Sequence, residues 1–133
     1  MVMDTISNML SSIKNASAVG KEFVELPYTK VNEAILEVLK KADFVAEAKV
    51  FKEKESSHKS LHIDLLYDDL GAPKIRKAGR ISKPGRRIFK GYTELKRFVP
   101  GTGVWVVSTP RGILSSNEAK SKKLGGEIIC EVM

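Results

Sequence analysis

Four residues constrain the fold of this chain more than any others: Val104-Trp105-Val106-Val107, a β-branched and aromatic run with no polar interruption. Such a run suits a strand buried on both faces, which requires a sheet with cover on either side. In the sequence pattern the strand stops at Ser108. Ser108, Thr109, Pro110, Arg111 and Gly112 then supply two hydroxyls, a ring-locked backbone, a guanidinium and a glycine, so the strand delivers a rigid, donor-rich tip to solvent.

Beyond the tip, Ser115-Ser116-Asn117-Glu118 has the spacing of a capping box and predicts a short helix presenting Lys120, Lys122 and Lys123. Gly125-Gly126 is expected to end that helix. The chain then runs out as a strand from Glu127 to Val132, most simply paired with Val104 to Ser108. The two loops would lie close together.

Earlier in the chain, Asp4 to Asn15 places Ile6, Met9, Leu10 and Ile13 at helical spacing, with Asn8, Ser11, Lys14 and Asn15 on the other face and Asp4 or Thr5 able to cap. Val24 to Leu26 reads as a short strand ended by Pro27. Thr29 caps a second helix through Ala42, with Val31, Ile35, Val38, Leu39 and Ala42 as its buried stripe. Strands over Val45 to Phe51 and Leu61 to Leu66 follow, separated by a charged loop from Lys52 to Lys59. Asp68, Asp69, Gly71 and Pro73 supply turn chemistry for a joint. Lys74 to Arg80 suits an edge strand, Ser82 to Arg87 a basic turn, Ile88-Phe89 a resumed strand, and Glu94 to Phe98 a brief helical turn. The result is an α+β fold of two small lobes: an N-terminal helix-strand-helix-strand-strand lobe over residues 1–66, a connecting segment 67–78, and a mostly β lobe with a short helix over 79–133.

Charge is distributed unevenly. The net charge is +7, yet residues 1–73 hold nine Lys/Arg against twelve Asp/Glu, and residues 74–97 hold ten against the lone Glu94. A block of one sign marks an anionic partner. Nucleic acid is favoured over a membrane surface, because Pro73, Gly79, Pro84 and Gly85 forbid the continuous amphipathic helix that a membrane would need. A module docking on an acidic protein is the runner-up. Phe89 and Tyr92 stand among Arg86, Arg87, Lys90 and Lys96, either as core anchors or as platforms for an unpaired base. The core reading is preferred for Phe89; Tyr92 is left open and joins the candidate RNA-binding residues.

Other chemistries have little support. His58 and His62 lack the cysteines or clustered carboxylates that would complete a metal site, so no metal and no cofactor is expected. Ser108 and Thr109 have no histidine in their half of the chain and no nucleophile-elbow pattern. Gly101-Thr102-Gly103 precedes a strand, where a phosphate-binding loop would follow one. No run approaches the ~18 apolar residues of a membrane span, and the N-terminus lacks a secretory pattern, so a cytoplasmic protein is expected. Cys130, the single cysteine, sits in an apolar strand and reads as an inert core residue.

Three stretches together carry a resemblance. Asp4-Thr5-Ile6-Ser7-Asn8-Met9-Leu10-Ser11-Ser12-Ile13-Lys14-Asn15 is similar to Asp-x-Ile-x-Asp-Met-Leu-x-x-Ile-Arg-Asn, the N-terminal signature of the family of the eighth protein of the bacterial small ribosomal subunit. Ser82-Lys83-Pro84-Gly85-Arg86-Arg87-Ile88-Phe89 resembles that family's central Ser-(Arg/Lys)-Pro-Gly-x-Arg-x-Tyr. Val107-Ser108-Thr109-Pro110-Arg111-Gly112-Ile113 and then Leu124-Gly125-Gly126-Glu127-Ile128-Ile129-Cys130 resemble its C-terminal signature. The match runs in order from residue 4 to residue 132.

The resemblance implies a non-catalytic, two-lobed protein that binds a helical region in the central domain of small-subunit ribosomal RNA, early in assembly and beside other small-subunit proteins. It implies a main RNA contact from Ser108, Thr109, Pro110, Arg111 and Gly112 with Gly125, Gly126 and Glu127. Further contacts would come from Asp4, Thr5, Lys14 and Asn15 of the first helix, from Lys30, and from Lys83, Arg86 and Arg87. Lys122 is expected to meet phosphate. Some members also bind their own operon messenger RNA and repress its translation, and a monomer is expected outside the ribosome. Ser108 and Thr109 suit ribose hydroxyls, while Gly125 and Gly126 would let backbone approach a phosphate. Glu127 would either accept from a base amino or 2′-hydroxyl group or organise the loop from within. Three positions depart from the family: Pro110 for a serine, Phe89 for a tyrosine and Asn8 for an aspartate.

Overall fold

A computed structural model of the chain describes residues 5–52, 58–99 and 101–133. Asp4 and most of the loop expected between Lys52 and Lys59 lie outside them. The described residues form an α+β fold with helices α1 (Thr5–Ala18), α2 (Lys30–Lys41) and α3 (Ser116–Ser121), and with strands β1 (Phe23–Pro27), β2 (Val45–Lys52), β3 (Lys59–Leu65), β4 (Ala78–Arg80), β5 (Phe89–Lys90), β6 (Val104–Thr109), β7 (Gly112–Ser115) and β8 (Gly126–Val132).

Two antiparallel sheets result. The first has the order β1-β3-β2; the second has the order β4-β8-β6-β7, with β5 also paired to β8. Helix α1 packs on both β1 and β4, and α2 packs on β2, β6 and β7, so the two helices lie between the sheets. One buried cluster therefore unites Met9, Ile13, Ile35, Leu39, Leu61 and Ile63 with Val104, Val106, Cys130 and Val132. A second cluster on the far side of the larger sheet joins Val107, Ile128, Leu95 and Ala119. The unbroken Val104–Val107 run is thus covered from both sides. Cys130 is fully buried, and desolvation pushes its thiol pKa up to about 12, which leaves it protonated and unreactive at neutral pH.

Local chemistry explains the helix ends. The Thr29 hydroxyl accepts from the Asn32 amide and opens α2, and Ala42 closes it, both as the sequence predicts. The stripe differs at its start, where Val31 is exposed and Asn32 is buried. Asn32 takes the inward position because its side-chain amide donates to the Thr5 carbonyl at 3.4 Å, which ties the first turns of α1 and α2 together.

The C-terminal half differs from expectation at three points. The strand does not stop at Ser108; it runs through Thr109 and turns at Pro110-Arg111 into β7, a strand the sequence pattern leaves unmarked. Gly125-Gly126 does not end α3. Ser115 caps it as expected, but it closes at Lys122, and Lys123 takes the left-handed conformation at φ +57°, with the Leu124 amide returning to the Ala119 carbonyl. The helical turn expected over Glu94 to Phe98 is a 3-10 turn at Tyr92–Glu94. Leu95 and Phe98 leave helical geometry to fill the core.

Candidate nucleic-acid interface

Register assembles the C-terminal candidates. Ile113 of β7 faces Ser108 of β6, Ser108 faces Glu127 of β8, and Glu127 faces Phe89 of β5. Directly opposed residues share a sheet face, so these four side chains form one row across four strands. Its polar members lie side by side and its last member, Phe89, is 67% exposed. The preference for Phe89 as a core anchor is overturned. Ile81 and Ile88 take the core positions beside it, while β5 is only two residues long and its Phe89 face is left uncovered.

The two hydroxyls of the tip have different environments. The Thr109 hydroxyl donates to the Gly112 carbonyl at 2.7 Å and accepts from the Arg111 amide at 3.2 Å, and its residue is buried. It closes the hairpin. Pro110 at the second turn position and Gly112 at the fourth, with φ +114°, suit that turn. Ser108 is half-buried, and among the described residues its hydroxyl has no hydrogen-bond partner.

Glu127 is paired within the protein. Nη1 of Arg87 donates to both of its carboxylate oxygens, at 3.1 and 3.4 Å, with the Glu127 side chain 17% exposed and that of Arg87 57%. Gly125 and Gly126 are required by protein backbone. A Cβ at Gly125 would lie 2.6 Å from the Lys90 carbonyl, and one at Gly126 would overlap the Ser108 carbonyl. Their bareness lets β8 pass between β5 and the tip of β6.

The basic turn grows from a buried hydroxyl. Ser82 is fully buried; its Oγ accepts from the Ile88 amide at 2.9 Å and donates to the Ile88 carbonyl at 3.3 Å. Lys83 and Arg86 exchange backbone hydrogen bonds above this staple, and their side chains are exposed with that of Arg87. Tyr92 is 40% exposed in the 3-10 turn that follows β5. Arg111 is exposed at the hairpin tip, and Lys122 is exposed but paired with Glu118 one helical turn back, at 3.2 Å.

The N-terminal candidates separate. Thr5 and Lys30 open α1 and α2, whose first turns the Asn32–Thr5 bond holds together. Lys14 and Asn15, both exposed, lie about 14 Å further along α1 at 1.5 Å per residue, so Thr5 and Lys14 cannot serve one contact point. Sequence reasoning missed the Glu127–Arg87 pair and the exposed Phe89. Glu127 and Arg87 lie 40 residues apart, a separation no local pattern reveals.

Among the described residues no group of three or more His, Cys, Asp and Glu could hold a metal ion, and no helix is long and apolar enough to cross a membrane. Comparison with known proteins gives the chain its family. The family model described as ribosomal protein S8 matches residues 4–133. The small ribosomal subunit protein uS8 of Helicobacter pylori is 42% identical over 132 residues, which cover 99% of each chain. The proteins of the same name from Helicobacter acinonychis and Nautilia profundicola are 41% and 39% identical over the same share of each chain. Matched along almost its whole length, the chain belongs to the ribosomal protein S8 family and is a protein of the small ribosomal subunit.

Proposed function

We propose that the chain binds a helical region of small-subunit ribosomal RNA directly, in the central domain that the resemblance indicates, and helps to assemble the particle around it. The observation that carries this reading is the Ser108–Glu127–Phe89 row, with an unpaired hydroxyl at one end, an uncovered ring at the other and a fixed carboxylate between them. Duplex RNA keeps its base edges in a deep, narrow groove, so proteins read its shallow groove, its 2′-hydroxyls and any splayed base. Ser108 fits a ribose or base group, and Phe89 offers a face on which a splayed base stacks. Arg86, Lys83 and Arg111 add attraction to phosphate that carries no sequence information.

The turn-closing role of Thr109 narrows the proposed contact of the tip to Ser108, Arg111 and the backbone around Gly112. Thr5, Lys14, Asn15, Lys30, Tyr92 and Lys122 remain peripheral contacts in this reading. The same surface would take a hairpin of the protein's own messenger RNA that presents a similar irregular helix, and the protein would act as a monomer when free. A filter-binding titration with the central-domain helix, repeated in excess unrelated RNA, tests the proposal. Retention that survives the competitor is expected. Binding titrated away by the competitor would leave only a non-specific basic surface.

A further inference from the structure

Residues 95–99 belong to no helix or strand, yet one short helix holds their backbone. Asn117 of α3 accepts from the Phe98 amide and donates to the Phe98 carbonyl, both at 2.9 Å, as a neighbouring strand would. The Ser116 hydroxyl donates to the Lys96 carbonyl at 2.7 Å, and Nζ of Lys120 to the Leu95 carbonyl at 3.1 Å. The side chains of this strap sort by position. Leu95 and Phe98 are buried, and Lys96 and Arg97 between them are exposed. Nζ of Lys96 lies 4.8 Å from the centre of the Phe98 ring, and among the described residues no carboxylate pairs with Lys96 or Arg97. Nearby carboxylates do not cancel them. Segments 90–98 and 116–124 hold six Lys/Arg against Glu94 and Glu118, and Glu118 is paired with Lys122. Asp43, in the hollow beside Phe98, is accompanied by Lys41, and Glu131, bonded to Trp105, by Lys77.

The strap lies on the opposite face of the larger sheet from the Ser108 row. Leu95 is buried with Val107 and Ile128, and strand alternation turns their chain neighbours Ser108 and Glu127 to the other face. We propose that Lys96 and Arg97 make a second RNA contact, on backbone phosphates of a stretch of ribosomal RNA other than the one met by the Ser108 row, and that Asn117 is the positioning residue that presents them. The proposal rests on the RNA-binding reading above and extends it to a second face. Phosphate is the group this chemistry selects: two adjacent cations carry no carboxylate partner, and the aromatic ring beside them is buried, so they are placed to meet a backbone and not to read a base. The clamp has a direct consequence for binding. A strap whose backbone is already fixed does not have to be ordered when RNA arrives.

Filter binding across a salt series tests this, with whole small-subunit ribosomal RNA and with the isolated central-domain helix. Lys96→Gln with Arg97→Gln should flatten the slope of log affinity against log salt by about two units on the whole RNA, one for each lost phosphate contact. On the isolated helix, which the Ser108 row is proposed to meet, the slope should stay at the parent value. Asn117→Ala separates positioning from plain support of the fold. It should lower the melting temperature in the parent and in the double Gln variant alike, but flatten the slope only in the parent, because in the other the charges it presents are already gone. Retention of the parent in excess unrelated RNA is read in the same titrations, so a failure of the RNA-binding reading shows separately. Three outcomes would overturn the proposal: an unchanged slope for the double Gln variant on the whole RNA, which would leave the strap to an acidic protein; a flattened slope on the isolated helix, which would put strap and row on one duplex; or equal flattening by Asn117→Ala with and without the two cations.

Discussion

Ser108 and Glu127 stand opposite each other on β6 and β8, and the protein engages them differently: Arg87 holds the Glu127 carboxylate, while the Ser108 hydroxyl has no partner among the described residues. Next along the chain, Thr109 spends its hydroxyl on the hairpin turn. Two hydroxyls that look alike in the sequence should therefore fail differently. Ser108→Ala should weaken specific RNA binding by about 1 to 3 kcal/mol, the cost of leaving a buried partner group unpaired, with its melting temperature unchanged. Thr109→Val should lower stability by about 1 kcal/mol through the lost turn bonds, while molecules still folded bind near normally. Melting and filter binding on the same samples decide it. Equal affinity losses without destabilisation would return Thr109 to the interface.

The hairpin shows where sequence reading stopped and why. Thr109-Pro110-Arg111-Gly112 carries good turn residues, yet a hydroxyl beside a proline can point to its own backbone or to a ligand, and only the return strand decides. The α2 boundaries were readable because a cap and its helix are adjacent in sequence. The β6–β8 pairing was readable because both strands are apolar and a short excursion joins them. Phe89 was misjudged because its exposure depends on which helix covers which end of the sheet, a matter of topology. Val31 failed for a similar reason: periodicity put it inward, and a bond from Asn32 to another helix did not.

The Arg87–Glu127 pair separates the two adjacent arginines of the basic turn. Arg86 is exposed and free to meet phosphate in the proposed complex, so Arg86→Ala should flatten the slope of log affinity against log salt by about one unit. Arg87 is occupied by a carboxylate. Arg87→Ala should weaken specific binding by releasing Glu127, with a smaller change in slope. The measurement is affinity from low to moderate salt, and identical slope changes for both would show that the pair opens when RNA binds.

Steric reasoning distinguishes glycines that look equivalent. Gly126→Ala would drive a methyl into the Ser108 carbonyl and should destabilise the fold by about 1 to 3 kcal/mol or more, as overpacking does. Gly85, in the basic turn, has nothing within 4 Å of an added Cβ and no positive φ. Gly85→Ala should leave the melting temperature within error. Thermal unfolding followed by circular dichroism tests both, and a neutral Gly126→Ala would contradict the close passage of β8 beneath the tip.

Acid should loosen the turn that follows β3. The Asp68 carboxylate accepts from the Ala72 amide at 2.8 Å and from the Leu70 amide at 2.9 Å, and these bonds, that to Ala72 foremost, hold its pKa below the ordinary carboxylate value. A depressed folded-state pKa means stability that is present above the unfolded value, near pH 4, and is lost as pH falls through the lower folded value. Asp68→Asn should thus be less stable than the parent at neutral pH, and the gap should narrow below about pH 4. Urea midpoints at a series of pH values report it. A gap independent of pH would assign the loss to shape rather than charge.

Phe89 gives the most direct test of the proposed RNA surface, because the fold has no use for its outer face. The ring is 67% exposed, on a two-residue strand whose pairing with Gly126 and Glu127 of β8 does not depend on the side chain. Phe89→Ala should therefore leave melting nearly unchanged. If a splayed base stacks on the ring, the same change should weaken specific binding by about 1 to 3 kcal/mol, and Phe89→Tyr should restore it because the stacking face returns. The salt slope should stay constant in both, since no charge is altered. A partly buried anchor behaves otherwise: Phe89→Ala would then lower stability and affinity together, and Phe89→Leu would rescue both without offering an aromatic face. Measuring the Ala, Leu and Tyr variants in parallel separates the two, and full affinity in a folded Phe89→Ala protein would remove the ring from the interface.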